Sequence, residues 1–324
     1  HHIVHLLAQH DRFLIAAHAN PDGDALGACS AMGYILQSMG KKFTIYNESA
    51  LPASFDWLPL PCPLCHDVNQ LPFTPELAII LDCGDMHRVG SALSAQLPAL
   101  ASINIDHHMA TPAYGNLYNW IDPSMAATGQ MVAHIATAAG IPLTGPLAEN
   151  IFVAIVTDTG SFSHSNTSAA VFRLAAEMLE NGLDIATLRE NMENRLNLSG
   201  LRLQGELLLR FSLYNEGRAA LVCVTQEDLH KHHASKEDIE GIINRLRQVR
   251  GVLIAAVLRE DGPAQCKLSL RSSGSINVRS IAATMGGGGH RNASGASIAH
   301  PLEDACALTL AALNTYFATA QPER

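Results

Sequence analysis

Three short apolar runs in the first third of this chain break off into acids and imidazoles, and that recurrence limits the folds open to it. Residues 13–17 lead into His18-Ala19-Asn20-Pro21-Asp22-Gly23-Asp24. Residues 77–81 lead into Asp82-Cys83-Gly84-Asp85, and residues 102–105 into Asp106-His107-His108. Brief, continuously apolar runs are the pattern of strands buried on both faces of a parallel sheet. Such sheets bind ligands beyond the carboxyl ends of their strands, so the three clusters are expected to meet in one crevice. A crevice furnished with carboxylates and imidazoles is a site for hard divalent metals.

Between and after these runs the pattern turns helical. A helix is expected over 24–39, with Asp24 near its N-cap and Gly40 as its stop, and residues 43–46 read as another strand. Residues 49–75 are proline-rich and read as a loop. Helices follow at 125–139 and 146–156, the second delivering Thr157-Asp158-Thr159-Gly160, and a third spans 168–180 before Asn181-Gly182. Residues 184–210 are helical in pattern but polar, as a connecting segment would be. Beyond them, strands are expected at 219–224, 252–258 and 267–271, helices at 235–248 and 302–318, and a glycine run at Gly286-Gly287-Gly288-Gly289-His290. A chain of 324 residues is long enough for two cores. The composition shift places a first domain at 1–185, a helical linker at 186–214 and a second domain at 215–324.

The net charge of −9 speaks against binding long nucleic acid, though not against a short phosphorylated ligand. No apolar run is long enough to span a bilayer, no basic-then-apolar leader is visible, and seven cysteines fit a reducing compartment, so the expectation is a cytoplasmic protein without a membrane anchor.

In an extended loop, residues two apart point the same way, so Asp22 and Asp24 could serve neighbouring ions. Asp82 arrives from an adjacent strand end, the natural place for a bridging carboxylate, and His107 and Asp158 would complete the second ion's shell. Several Asp with one or two His suit Mn²⁺ best, with Mg²⁺ or Co²⁺ as alternatives. Singly, each residue reads more readily as a helix cap or an ordinary hydrogen-bonded polar side chain. Four clusters at successive element ends are hard to explain as caps alone.

His18-Ala19-Asn20-Pro21-Asp22-Gly23-Asp24, Asp82, Asp106-His107-His108 and Thr157-Asp158-Thr159-Gly160 resemble the four ordered motifs of the DHH phosphoesterase superfamily. Gly286 to His290, followed by Arg291-Asn292-Ala293-Ser294-Gly295, resembles the signature of the DHH-associated C-terminal domain. Within the superfamily the chain looks most like the nanoRNase/pAp phosphatase group. The resemblance implies an α/β fold: a larger N-terminal domain with a mostly parallel five-stranded Rossmann-like sheet, and a smaller C-terminal α/β domain with a mixed sheet. It also implies two divalent metal ions, one held by His18, Asp22 and Asp82, the other by Asp24, Asp82, His107 and Asp158. Two ions sharing Asp82 and a solvent oxygen would then hold hydroxide in line with a phosphorus, with His108 contacting the phosphate and Asp106 orienting its neighbouring histidines. Asn20, Arg271, Gly287, Gly288, Gly289, His290 and Ser294 are the expected substrate contacts. Consecutive glycines let backbone N–H groups approach phosphate oxygens, and Arg271 could bind a phosphate bidentately.

The implied function is hydrolysis of short oligoribonucleotides to nucleoside 5′-monophosphates and of 3′-phosphoadenosine 5′-phosphate (pAp) to AMP, with a homodimer compatible with the resemblance. The alternatives are a cyclic-di-AMP or pApA phosphodiesterase, an inorganic pyrophosphatase or exopolyphosphatase, and a nucleotide-binding regulatory module. A module that had lost turnover would be expected to lack one of Asp22, Asp82 or Asp158, and all three are present. Other signals are discounted. Cys62-Pro63-Leu64-Cys65-His66 has the form of a haem attachment site but sits in the proline-rich loop. His230, His232 and His233 read as a solvated patch, and an EF-hand starting at Asn20 fails because Ala25 and Ala31 stand where Gly and an acid are needed.

Overall fold

The computed structural model describes residues 1–109, 112–193, 197–239, 241–289 and 291–319. They divide into two compact units, His1–Arg195 and Leu196–Arg324.

The N-terminal unit is built on a six-stranded sheet in which every pairing is parallel. In chain order its elements are α1 (His2–Gln9), β1 (Arg12–Ala16), α2 (Gly23–Ser38), β2 (Lys42–Tyr46), β3 (Leu64–Cys65), β4 (Leu77–Leu81), α3 (Ser91–Gln96), β5 (Ser102–Asp106), β6 (Tyr118–Ile121), α4 (Thr128–Ala138), α5 (Gly145–Asp158), α6 (Ala169–Glu180) and α7 (Ile185–Glu193). The strand order β3-β2-β1-β4-β5-β6 places the reversal of winding between β1 and β4. That is where a doubly wound sheet opens its binding crevice.

The apolar runs are continuous because both faces of the sheet are covered. Phe13, Ile15, Leu77, Ile79, Ile103 and Ile105 pack with Met32 and Ile35 of α2, Met131 of α4 and Ile151 of α5. Leu14, Ala16, Ala78 and Ile80 pack on the other side with Leu93 of α3 and Leu97. Six strands rather than five are present. β3 is a two-residue strand inside the proline-rich stretch, and β6 is a half-buried edge strand with no unbroken apolar run. The helix expected to begin at Asp24 begins at Gly23, because Asp22 is the residue that caps it: its carboxylate accepts from the N–H groups of Asp24 and Ala25, both at 3.1 Å.

The C-terminal unit comprises α8 (Leu198–Arg210), β7 (Ser212–Tyr214), β8 (Ala219–Val224), α9 (Gln226–Lys231), α10 (Ile242–Arg247), β9 (Ile254–Gly262), β10 (Gln265–Ser272), α11 (Val278–Ala283), β11 (Gly288–Gly289), β12 (Ala293–Ile298) and α12 (Leu302–Thr319). Its mixed sheet runs β11-β12-β10-β9-β8-β7, with β8 and β9 the parallel pair. One face packs against α11 and α12, the other against α8 and α10. The helix expected over 235–248 is shorter: a 3-10 turn at Glu237–Ile239 precedes α10. Leu188 and Met192 of α7 join the core of the first unit, whereas Leu203 and Leu207 of α8 join that of the second.

Candidate metal centre

The three apolar runs are β1, β4 and β5, neighbours in the sheet, so their carboxyl ends bring His18, Asp82 and Asp106-His107-His108 side by side. α2 and α5 supply the rest. Gly27 of α2 lies so close to α5 that a Cβ would fall 2.5 Å from the Asn150 carbonyl and 3.0 Å from the Ala154 methyl. That approach carries Asp158, the last residue of α5, towards Asp24 in the first turn of α2.

Three groups of donors result: His18 with Asp22 and Asp82, Asp24 with His107 and Asp158, and Asp82 with His107 and His108. Within each group the candidate ligand atoms lie within 4.8 Å of one another. Asp82 belongs to two sides at once. Its Oδ2 is 3.7 Å from His18 Nε2, whereas its Oδ1 is 3.6 Å from His107 Nε2 and 3.5 Å from His108 Nδ1. The backbone at Asp82 is left-handed, φ 52°, a conformation that costs a side chain energy and is retained here at the site itself.

The imidazoles are oriented from behind. His18 Nδ1 donates to the Ala19 carbonyl at 2.9 Å and His107 Nδ1 to the Met125 carbonyl at 3.3 Å, which turns both Nε2 lone pairs into the cluster. His107 Nε2 is buried and makes no aligned hydrogen bond, although Asp158 Oδ2 is 2.9 Å away and Asp24 Oδ2 3.6 Å away. A buried imidazole nitrogen without an aligned partner among carboxylates fits a divalent ion. His108 differs: its Nδ1 is committed to Asp106 Oδ1 at 2.8 Å, and Asp106 is fully buried.

Electrostatics points the same way. Burial, with Asp82, Asp158 and Asp22 nearby, raises the pKa of Asp24 well above the usual carboxylate range. Burial and the charges of Asp22 and Asp158 raise Asp82 to about 6, against the pull of His108 and His18. For His107, burial opposes protonation but the contact with Asp158 and the charge of Asp82 outweigh it, taking the imidazole to about 9. His108 is raised chiefly by its hydrogen bond to Asp106. Packed carboxylates whose ionisation burial and like charge oppose are ones a bound cation would favour in the charged form.

The first turn of α4 takes part without having been expected to. The N–H groups of Thr128 and Gly129 donate to Asp24 Oδ2 and Oδ1 at 2.6 and 2.8 Å, and the Thr128 hydroxyl donates to Asp82 Oδ1 at 3.2 Å. Backbone donors leave no mark in a sequence. The available signal was Ala127, a residue at the N-cap with no side chain to cap the helix.

Asn20 lies in the same loop as His18 and Asp22, with φ 52° and its N–H bonded to Ser49 Oγ at 2.8 Å; its side chain is exposed. In the C-terminal unit Arg271 lies on β10, half-buried, and among the described residues no carboxylate pairs with it. Burial and the neighbouring Arg247 lower its pKa. Gly288 and Gly289 form β11 on β12, in register with Gly295 and the buried Ser294. At Gly287 a Cβ would meet the Gly295 carbonyl at 2.2 Å. His290 lies outside the described residues.

Comparison with known proteins matches residues 12–157 to the N-terminal domain of the DHH family and residues 219–319 to the DHHA1 domain. The bifunctional oligoribonuclease and PAP phosphatase NrnA of Thermus thermophilus is 34% identical over 286 residues, 88% of this chain and 83% of that one. A crystal structure of an exopolyphosphatase-related protein from Bacteroides fragilis superposes with a TM-score of 0.91 at 28% identity, covering 97% of this chain and 95% of the other. The cyclic-di-AMP phosphodiesterase GdpP of Geobacillus thermodenitrificans is 25% identical over 90% of this chain, though only 45% of its own length is matched.

Proposed function

Because the chain belongs to the DHH family and carries its DHHA1 domain, we propose that it is a metal-dependent phosphoesterase that cleaves short oligoribonucleotides to nucleoside 5′-monophosphates and pAp to AMP. The observation that carries this reading is Asp82, whose two oxygens face separate donor sets as a carboxylate shared by two ions requires. We assign one set to His18, Asp22 and Asp82 and the other to Asp24, Asp82, His107 and Asp158. Oxygen-rich donors with imidazole favour Mn²⁺, with Mg²⁺ and Co²⁺ as substitutes. Bound there, such ions supply Lewis acidity and an activated water.

The protein's own groups do the rest. Asp106 holds His108 through Nδ1 and favours its cationic form, and His108 is assigned to donate to a phosphoryl oxygen as charge develops. Asn20 is assigned to substrate contact from the loop it shares with His18 and Asp22. In the C-terminal unit, the guanidinium of Arg271 and the N–H groups of the glycine run suit a phosphate, with Ser294 beside them. The acidic balance of the chain supports short ligands over long nucleic acid. No described helix is long and apolar enough to cross a membrane. The seven free cysteines support work in the cytoplasm.

The likeness to GdpP supplies a second reading, a cyclic-di-AMP or pApA phosphodiesterase on the same metal site. The test is Mn²⁺-dependent turnover of pApA, a short RNA, pAp, cyclic di-AMP and pyrophosphate side by side, with Asp82→Asn as control. AMP released from pApA, short RNA and pAp, and lost in the variant, is the expected result. Preference for cyclic di-AMP or pyrophosphate would overturn the substrate assignment, and inertness towards all five with metal bound would overturn the enzyme.

A further inference from the structure

Thr128 is the first residue of α4 and is fully buried. A threonine hydroxyl gains nothing from an apolar site unless it is bonded there, and this one donates to Asp82 Oδ1 at 3.2 Å. The N-cap of α4 is Ala127, which has no side chain to cap the N–H groups of the first turn. Here those donors are already satisfied, since Thr128 N–H and Gly129 N–H both bond Asp24. The Thr128 hydroxyl donates outside its own helix, to Asp82.

Its target is the carboxylate on which two-ion occupancy depends. The imidazole nitrogens around Asp82 stand at 3.5 to 3.7 Å, beyond a normal hydrogen bond. The terminal torsion of an aspartate is broad and shallow, so those contacts alone do not fix the plane of the carboxylate. A hydroxyl anchored to a helix end does. We propose that Thr128 is a positioning residue for the bridging carboxylate: its hydroxyl sets the plane of Asp82 so that Oδ1 faces His107 and Oδ2 faces His18. The first turn of α4 then serves both carboxylates, Asp24 through the backbone and Asp82 through a side chain.

The inference rests on the two-ion reading of the site but not on the substrate, so its readout is metal binding rather than hydrolysis. Full-length Thr128→Val, which keeps the shape and loses the donor, and Thr128→Ser, which keeps the donor, are titrated with Mn²⁺ after metal removal. Calorimetry gives affinity and stoichiometry, and electron paramagnetic resonance reports the exchange-coupled pair that a shared carboxylate produces. Thr128→Val should lose about 10- to 100-fold in affinity, the range for removing a ligand's hydrogen-bond partner, and should lose the coupled signal. Thr128→Ser should retain both. Wild-type affinity with a coupled signal in Thr128→Val would overturn the proposal. So would a Thr128→Ser variant as weak as Thr128→Val, which would show that a hydroxyl at this position does not by itself orient Asp82.

Discussion

In protein stripped of metal by a chelator, Asp82→Asn is expected to stabilise the N-terminal unit at pH 7.5. The Asp82 carboxyl is 2% exposed, and burial together with Asp22 and Asp158 moves its pKa from 3.8 to about 6. A tenfold change in a protonation equilibrium is worth about 1.4 kcal/mol, so ionising this group costs the folded state about 3 kcal/mol relative to the unfolded chain. The folded state holds the proton more tightly. The penalty is therefore absent below about pH 4, grows as pH rises towards 6, and is constant above that. Asn removes the charge, still offers an oxygen to the Thr128 hydroxyl, and tolerates the left-handed backbone at this position better than Ala would. Both tryptophans, Trp57 and Trp120, lie in this unit, so urea denaturation followed by their fluorescence reports on it directly. The variant should lead by about 2–3 kcal/mol at pH 7.5 with chelator, and the lead should vanish near pH 4. Mn²⁺ should then stabilise the wild type far more than the variant and reverse the order. A variant less stable than wild type in chelator at pH 7.5, or a gap that ignores pH, would show that the buried charge is not what strains the metal-free fold.

Two further outcomes follow from the same geometry. With His107 raised to about 9, its imidazolium supports the metal-free fold below pH 6.5 and ceases to as pH climbs through 9. A metal ion entering at pH 7.5 must displace that proton, so uptake should release about one proton from His107, seen as a binding heat that varies with the ionisation heat of the buffer; buffer-independent heats would sink the idea. Gly129→Ala would set a methyl 2.3 Å from that of Ala154 and disturb the N–H that holds Asp24. A loss of about 1–3 kcal/mol is expected, together with weaker Mn²⁺ binding, and a variant of unchanged stability would show that the two helices can part without cost.

The site was legible where chemistry resides in side chains at the ends of apolar runs. His18, Asp22, Asp24, Asp82, His107 and Asp158 all reach one place, because β1, β4 and β5 are adjacent and parallel. What escaped was the work of backbone and of very small residues. Gly23 and Gly27, one turn apart on α2, permit the contact with α5 that delivers Asp158, yet glycines in a helix ordinarily read as weak points. Thr128 and Gly129 hold Asp24 through N–H groups that any residue but proline would possess. The edge strand β11 and its neighbour β12 are made of Gly, Ala, Ser and one Ile, without the β-branched pattern that announces a strand, and β3 is held by only two pairs.

Asp24 caps a helix that begins 104 positions further along the chain, and its companion Asp158 closes α5. A chain emerging from the ribosome therefore offers the ion no finished site until α5 is out. Here the donors are gathered by strand order and helix packing, not by a local sequence motif. Completion of the donor set is thereby tied to completion of the N-terminal unit from β1 to the end of α5.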